Sequence, residues 1–129
     1  LEAIASTTAI EAKVNKLLGR TGLGFPAIIA MAEQGDQTAR QALAETGGYL
    51  GMAVANTVNL FNPSLVIIGG IIARAGDFVM EPLRQAFADH ALAKPADEAD
   101  VQVTRLDESA WPLGAATLVL KRVFKEQNI

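Results

Sequence analysis

Asn59-Leu60-Phe61-Asn62-Pro63-Ser64-Leu65-Val66-Ile67-Ile68-Gly69-Gly70 joins the end of one element to the whole of the next, and its reading decides the fold class. Asn62-Pro63 is a hard stop for a helix, because the proline ring disfavours the α conformation at the residue before it. Leu65-Val66-Ile67-Ile68 then runs apolar without alternation, which predicts a central strand covered on both faces rather than an edge. Gly69-Gly70 lets the chain turn sharply. Helix, buried strand and glycine turn in that order predict an α/β domain. The turn at the carboxyl end of such a strand is where an open α/β sheet holds its ligand.

Upstream, Ala39, Leu43, Leu50, Val54, Val58 and Phe61 keep a helical period over residues 37–61. Asp36 can cap this helix through its side-chain oxygen. Beyond Tyr49 the opposite face is also apolar and small, so the second half is expected to be buried all round. Ile10, Val14, Leu17 and Leu18 predict one helix from Leu1 to about Leu18, ended by Gly19 and Gly22. Pro26 suits the first turn of a short helix stopped by Gly35. Downstream, Asp77 can cap a helix carrying Val79, Leu83 and Phe87, with Pro82 in or near its first turn. Val101-Gln102-Val103-Thr104 alternates as a less buried strand should. Ser109 and Pro112 open a last helix with Leu113, Leu120 and Phe124 inward. The expected order is α-α-α-β-α-β-α.

The chain has 129 residues, half of them hydrophobic and 19% charged, so it can bury a core and is not a disordered tail. A net charge of −3 without Lys/Arg clusters gives no footprint for a phosphate backbone. With no cysteine and one histidine, neither a disulfide framework nor a self-contained zinc site can be built. A cytoplasmic location fits. No charged residue occurs from Thr46 to Ala73, but Asn56, Asn59 and Asn62-Pro63 would put polar groups and a helix break into hydrocarbon. A buried helix and strand explain the run better than a membrane span. Leu1-Glu2-Ala3 is neither an initiator methionine nor a signal peptide, and two strands cannot make a self-sufficient sheet. Residues 1–129 are therefore expected to be one fragment of a longer domain.

An ordered set of residues resembles the C-terminal half of the ROK family, which groups bacterial sugar repressors and sugar kinases. Glu2 matches the glutamate closing that family's Cys-x-Cys-Gly-x-x-Gly-Cys-x-Glu signature. Gly35-Asp36 and Ala39 match its Gly-Asp-x-x-Ala. Leu50-Gly51, Asn56, Asn59, Asn62-Pro63, Gly69-Gly70 and Gly114-Ala115-Ala116 follow in the family's order. The resemblance implies the C-terminal half of a ribonuclease-H-like domain of the actin and hexokinase type. It also implies a homo-oligomer.

For Glu2 the resemblance implies a ligand of sugar hydroxyls, a task suited to a carboxylate that accepts charge-assisted hydrogen bonds. By itself Glu2 reads as a first-turn glutamate complementing a helix dipole. For Gly69 and Gly70 the resemblance implies a turn that approaches a nucleotide; by themselves they are a strand-to-helix turn. Ile71 stands where family kinases often carry a third glycine. The family's Asp-x-Gly-Gly-Thr phosphate loop, its aspartate base, its zinc ligands and a repressor's DNA-reading helix-turn-helix would all lie upstream. The chain itself is thus expected to be inactive as an enzyme, with zinc and Mg-ATP belonging to the longer protein. Ile71 and the Ala73-Arg74-Ala75-Gly76-Asp77 run look more like family repressors. The expected role is the sugar-binding and oligomerisation portion of a sugar-responsive regulator, or alternatively half of an ATP-dependent sugar kinase. His90 reads as a helix-end residue, Asp107-Glu108 as helix-start acids, Asp97, Glu98 and Asp100 as a solvated loop, and Trp111 as an anchor of the last helix.

Overall fold

The computed structural model describes residues 1–93, 99–104 and 114–120. The chain folds as α1 (Glu2–Ala5), α2 (Thr7–Leu18), α3 (Phe25–Glu33), α4 (Gln37–Phe61), β1 (Leu65–Ile68), a 3₁₀ turn (Ile71–Ala75), α5 (Asp77–His90) and β2 (Asp100–Val103). Residues 114–120 are helical and exposed, Leu120 included. The predicted helix over residues 1–18 is therefore two helices, and the order gains an element. The break is at Ser6, whose backbone is extended and whose hydroxyl oxygen accepts from the Ala9 N–H at 3.2 Å.

α4 is the centre of the molecule; α1, α2, α3 and α5 all pack on it. Its boundaries agree with the sequence reading. Asp36 caps it, accepting from the Ala39 N–H at 2.8 Å, and Asn62 closes it in the left-handed region at φ 45°. The core joins Ile10 and Val14 of α2, Phe25, Ile28 and Ala32 of α3, Ala39, Ala42 and Leu43 of α4, and Ala75 and Val79 beyond β1. Polar side chains fix the connections. Asn15 brackets the loop before α3, accepting from the Leu23 N–H at 3.1 Å and donating to its carbonyl at 3.0 Å, while Glu11 accepts from the Phe25 N–H at 2.7 Å. Arg40 donates to the Ala32 carbonyl at 2.7 Å and lies over the Phe78 ring, 5.7 Å from its centroid.

The second half of α4 is not buried all round. Asn56, Thr57, Leu60 and Phe61 are exposed, because α5 covers one side only and no other described element reaches that face. Leu17 on α2 is exposed as well. Against α5 the contact is close. Gly47 and Gly51, one turn apart, leave no room for a side chain beside Val79, Pro82, Leu83 and Ala86. Pro82 lies inside α5, just past its first turn, and the N-cap is Gly76 rather than Asp77, the first helical residue. Asn59 ties the far end of α5 to α4, donating to the His90 carbonyl at 3.1 Å and accepting from the Leu92 N–H at 2.8 Å.

β1 and β2 pair in parallel, Leu65 opposite Asp100 and Ile68 opposite Val103. Alternation in β2 agrees with the sequence reading, one residue earlier. β1 differs from expectation: Leu65 and Ile67 are 45% and 61% exposed on one face, because no described element covers them. Among the described residues β1 has one strand neighbour.

Candidate functional site

Both parallel strands end at the same level, at Ile68 and Val103, and the Thr104 N–H donates to the Ile68 carbonyl at 2.8 Å. Gly69 and Gly70 follow immediately, at the carboxyl edge where α/β sheets hold ligands. A Cβ on Gly69 would meet the Thr104 methyl at 3.4 Å, an ordinary contact. Gly70 differs, with φ 81° and ψ −172°, a region that side chains exclude, while the space beside it is open. The turn therefore needs glycine at position 70 for its backbone, and it offers uncovered main chain to an approaching group. Thr104 as a neighbour of Gly69 was not singled out in the sequence; a contact across a parallel pairing has no local signal. Gly76, at φ 54° and ψ −137°, closes the 3₁₀ turn with a second backbone that favours glycine.

Glu2 opens α1 and its side chain is exposed. α1 packs on α2 and α4, with Ala5 buried. No described hydrogen bond or ion pair joins Glu2 to the Gly69-Gly70 turn. His90 sits at the end of α5 as expected, exposed, with Nδ1 2.8 Å from the Ala86 carbonyl oxygen. Asp97, Glu98, Asp107, Glu108, Ser109, Trp111, Pro112, Leu113 and Phe124 lie outside the described residues. Among those described, no three His, Asp or Glu side chains cluster as metal ligands. The zinc that the resemblance implies has no ligand set among them.

Elsewhere, an open groove of about 350 Å³ runs between α2 and α4, lined by Lys13, Leu17, Thr38, Gln41, Ala42 and Glu45. It contains neither Glu2 nor the glycine turn. Lys13 pairs with Glu45 across it, and Gln41 donates to Glu45 at 3.2 Å. The hydrogen bond from Lys13 holds the Glu45 carboxyl below its ordinary pKa, against an opposing effect of burial. A carboxyl depressed on folding adds stability above its unfolded pKa, and that stability is lost as pH falls through the folded value. With side chains 43% and 37% exposed, the pair contributes at most about 0.5 kcal/mol. Lys13→Met is expected to lower stability by no more than that at neutral pH, with the difference from wild type vanishing in urea melts taken at progressively more acid pH.

The family model for the ROK family matches residues 1–122. The chain belongs to the ROK family. It is 34% identical over 136 aligned positions to a glucokinase of Thermotoga maritima, covering 95% of this chain and 43% of that protein. It is 31% identical over 127 positions to an N-acetylglucosamine repressor of Escherichia coli O6:H1, covering 92% of this chain and 31% of the repressor. The structure superposes on that of a ROK family glucokinase from Streptomyces griseus in complex with glucose and AMPPNP, with TM-score 0.79 and 26% identity over 91% of this chain and 43% of that one. The ROK chain thus spans less than half the length of these relatives. ROK sugar kinases and ROK regulators both share its α/β arrangement of helices about a small parallel sheet. No helix among its described residues is long and apolar enough to cross a membrane.

Proposed function

We propose that this chain is the C-terminal, sugar-binding and oligomerising portion of a ROK-family sugar-responsive transcriptional regulator. The observation that carries the family part of this reading is the match to the ROK family over residues 1–122, whose relatives include both regulators and kinases. Glu2, exposed on a short helix, is the proposed sugar ligand, and Gly69-Gly70 the proposed nucleotide-side turn of the fold. Ile71, in place of a third glycine, favours a regulator. The protein is proposed to be cytoplasmic, to act on DNA through an upstream domain and to take any zinc or Mg-ATP through upstream residues. An ATP-dependent sugar kinase acting on a hexose or an N-acylhexosamine is the second reading, and 34% identity to a glucokinase over 95% of the chain is consistent with it.

The test is ADP release from Mg-ATP by the full-length protein with a panel of hexoses and N-acetylhexosamines. Turnover with one sugar establishes a kinase and overturns the regulator. No turnover, with a sugar still raising the melting temperature, is the result expected of a regulator.

A further inference from the structure

The helix that carries Glu2 is held apart from its successor by a single residue. Ser6 donates its N–H to the Glu2 carbonyl at 3.2 Å, closing α1. Its own carbonyl accepts from Ile10 at 3.1 Å and its hydroxyl oxygen from the Ala9 N–H at 3.2 Å, opening α2. Between these bonds its backbone is extended, at φ −88° and ψ 160°. Ala5, just before the break, is 8% exposed, and Ile10, one turn beyond it, is 2% exposed. The bend at Ser6 turns α1 so that Ala5 seats in the core, and it thereby sets where Glu2 stands.

The geometry points to Ser6 as a positioning residue for sugar recognition, acting through Glu2: its hydroxyl keeps the junction extended and so fixes the helix that presents the carboxylate. This rests on the reading of Glu2 as a sugar ligand. Alanine at position 6 removes the capping oxygen and is the strongest helix former, so it favours fusing α1 to α2 and swinging Glu2 away. Threonine and asparagine both cap helices and keep the junction open.

Calorimetric titration of the full-length protein with D-glucose and with N-acetylglucosamine tests this, taking the sugar that binds more tightly. Glu2→Gln is expected to weaken binding between about 10- and 100-fold, as loss of a hydrogen bond to a charged group does. Ser6→Ala is expected to weaken it about tenfold with wild-type nucleotide binding, while Ser6→Thr and Ser6→Asn stay within about twofold of wild type. In the Glu2→Gln background, Ser6→Ala should cost under about twofold more, because its effect passes through the carboxylate. Additive losses, or folded Thr and Asn variants that fail to bind, overturn the inference. An unchanged affinity in Ser6→Ala beside a loss in Glu2→Gln overturns it and leaves the sugar-ligand reading standing. An unchanged affinity in Glu2→Gln, or no binding of either sugar, overturns both.

Discussion

Gly51→Ala is expected to destabilise the protein by about 3 kcal/mol, the upper range for overpacking a close contact, and to lower its Tm by roughly 10 °C. A methyl at position 51 would lie well inside van der Waals contact distance of the Leu83 carbonyl oxygen, 2.7 Å from the Ala86 Cβ and 3.0 Å from the Phe87 amide nitrogen. Two of those three atoms are main chain of α5 and cannot rotate aside. The same holds one turn earlier, where a methyl on Gly47 would overlap the Val79 carbonyl and approach the Pro82 Cβ to 3.0 Å. Relief requires the two helices to separate, which opens the packing of Val79, Met80 and Leu83, all buried at this seam. Gly48 is the internal control. It lies in the same helix, and a Cβ there meets nothing within 4 Å. Gly48→Ala should therefore gain about 0.5–1 kcal/mol from helix propensity alone. Equal melting temperatures for the two variants would show that α4 and α5 do not approach backbone to backbone.

That seam marks where sequence reading stops. Gly47, Gly51, Ala53 and Ala55 announce a small-residue helix, but which of them faces a neighbour depends on where α5 lies, and no local pattern records that. The ends of α4 were legible because Asp36 and Asn62-Pro63 act on their own backbone. The break at Ser6 was hidden by the apolar spacing of Ile10, Val14 and Leu18, which continues smoothly into a run of helix-forming alanines. Serine serves equally as a solvent-facing helix residue and as a cap, so its role follows from packing. The run Leu65-Ile68 predicted a strand covered on both faces, but Leu65 and Ile67 are exposed, because apolar composition does not record whether a described element lies over the strand. The candidate site rests on resemblance. Glu2 and Gly69-Gly70 carry too little chemistry of their own to declare a ligand, and they sit on separate elements of the described structure.

The two glycines of the turn are expected to respond differently to alanine, and the difference separates backbone need from ligand approach. Gly70→Ala should cost about 2 kcal/mol, because φ 81° with ψ −172° lies in a region that a Cβ all but excludes. Gly69→Ala should leave stability within about 0.5 kcal/mol of wild type, since its backbone is not left-handed and its Cβ would rest against Thr104 at 3.4 Å. If a nucleotide reaches the main chain at this edge, a methyl at position 69 stands in its path whatever it does to folding. Titration of full-length Gly69→Ala with AMPPNP should then show affinity reduced about tenfold, or roughly 1.4 kcal/mol, at an unchanged melting temperature. Unchanged affinity in that variant, with Gly70→Ala still destabilising, would assign the pair to chain geometry alone. The turn would then be a strand-to-helix connection whose second glycine is required by its dihedral angles, and the nucleotide-side role would be withdrawn from this chain while its sugar-facing role through Glu2 stood unaffected.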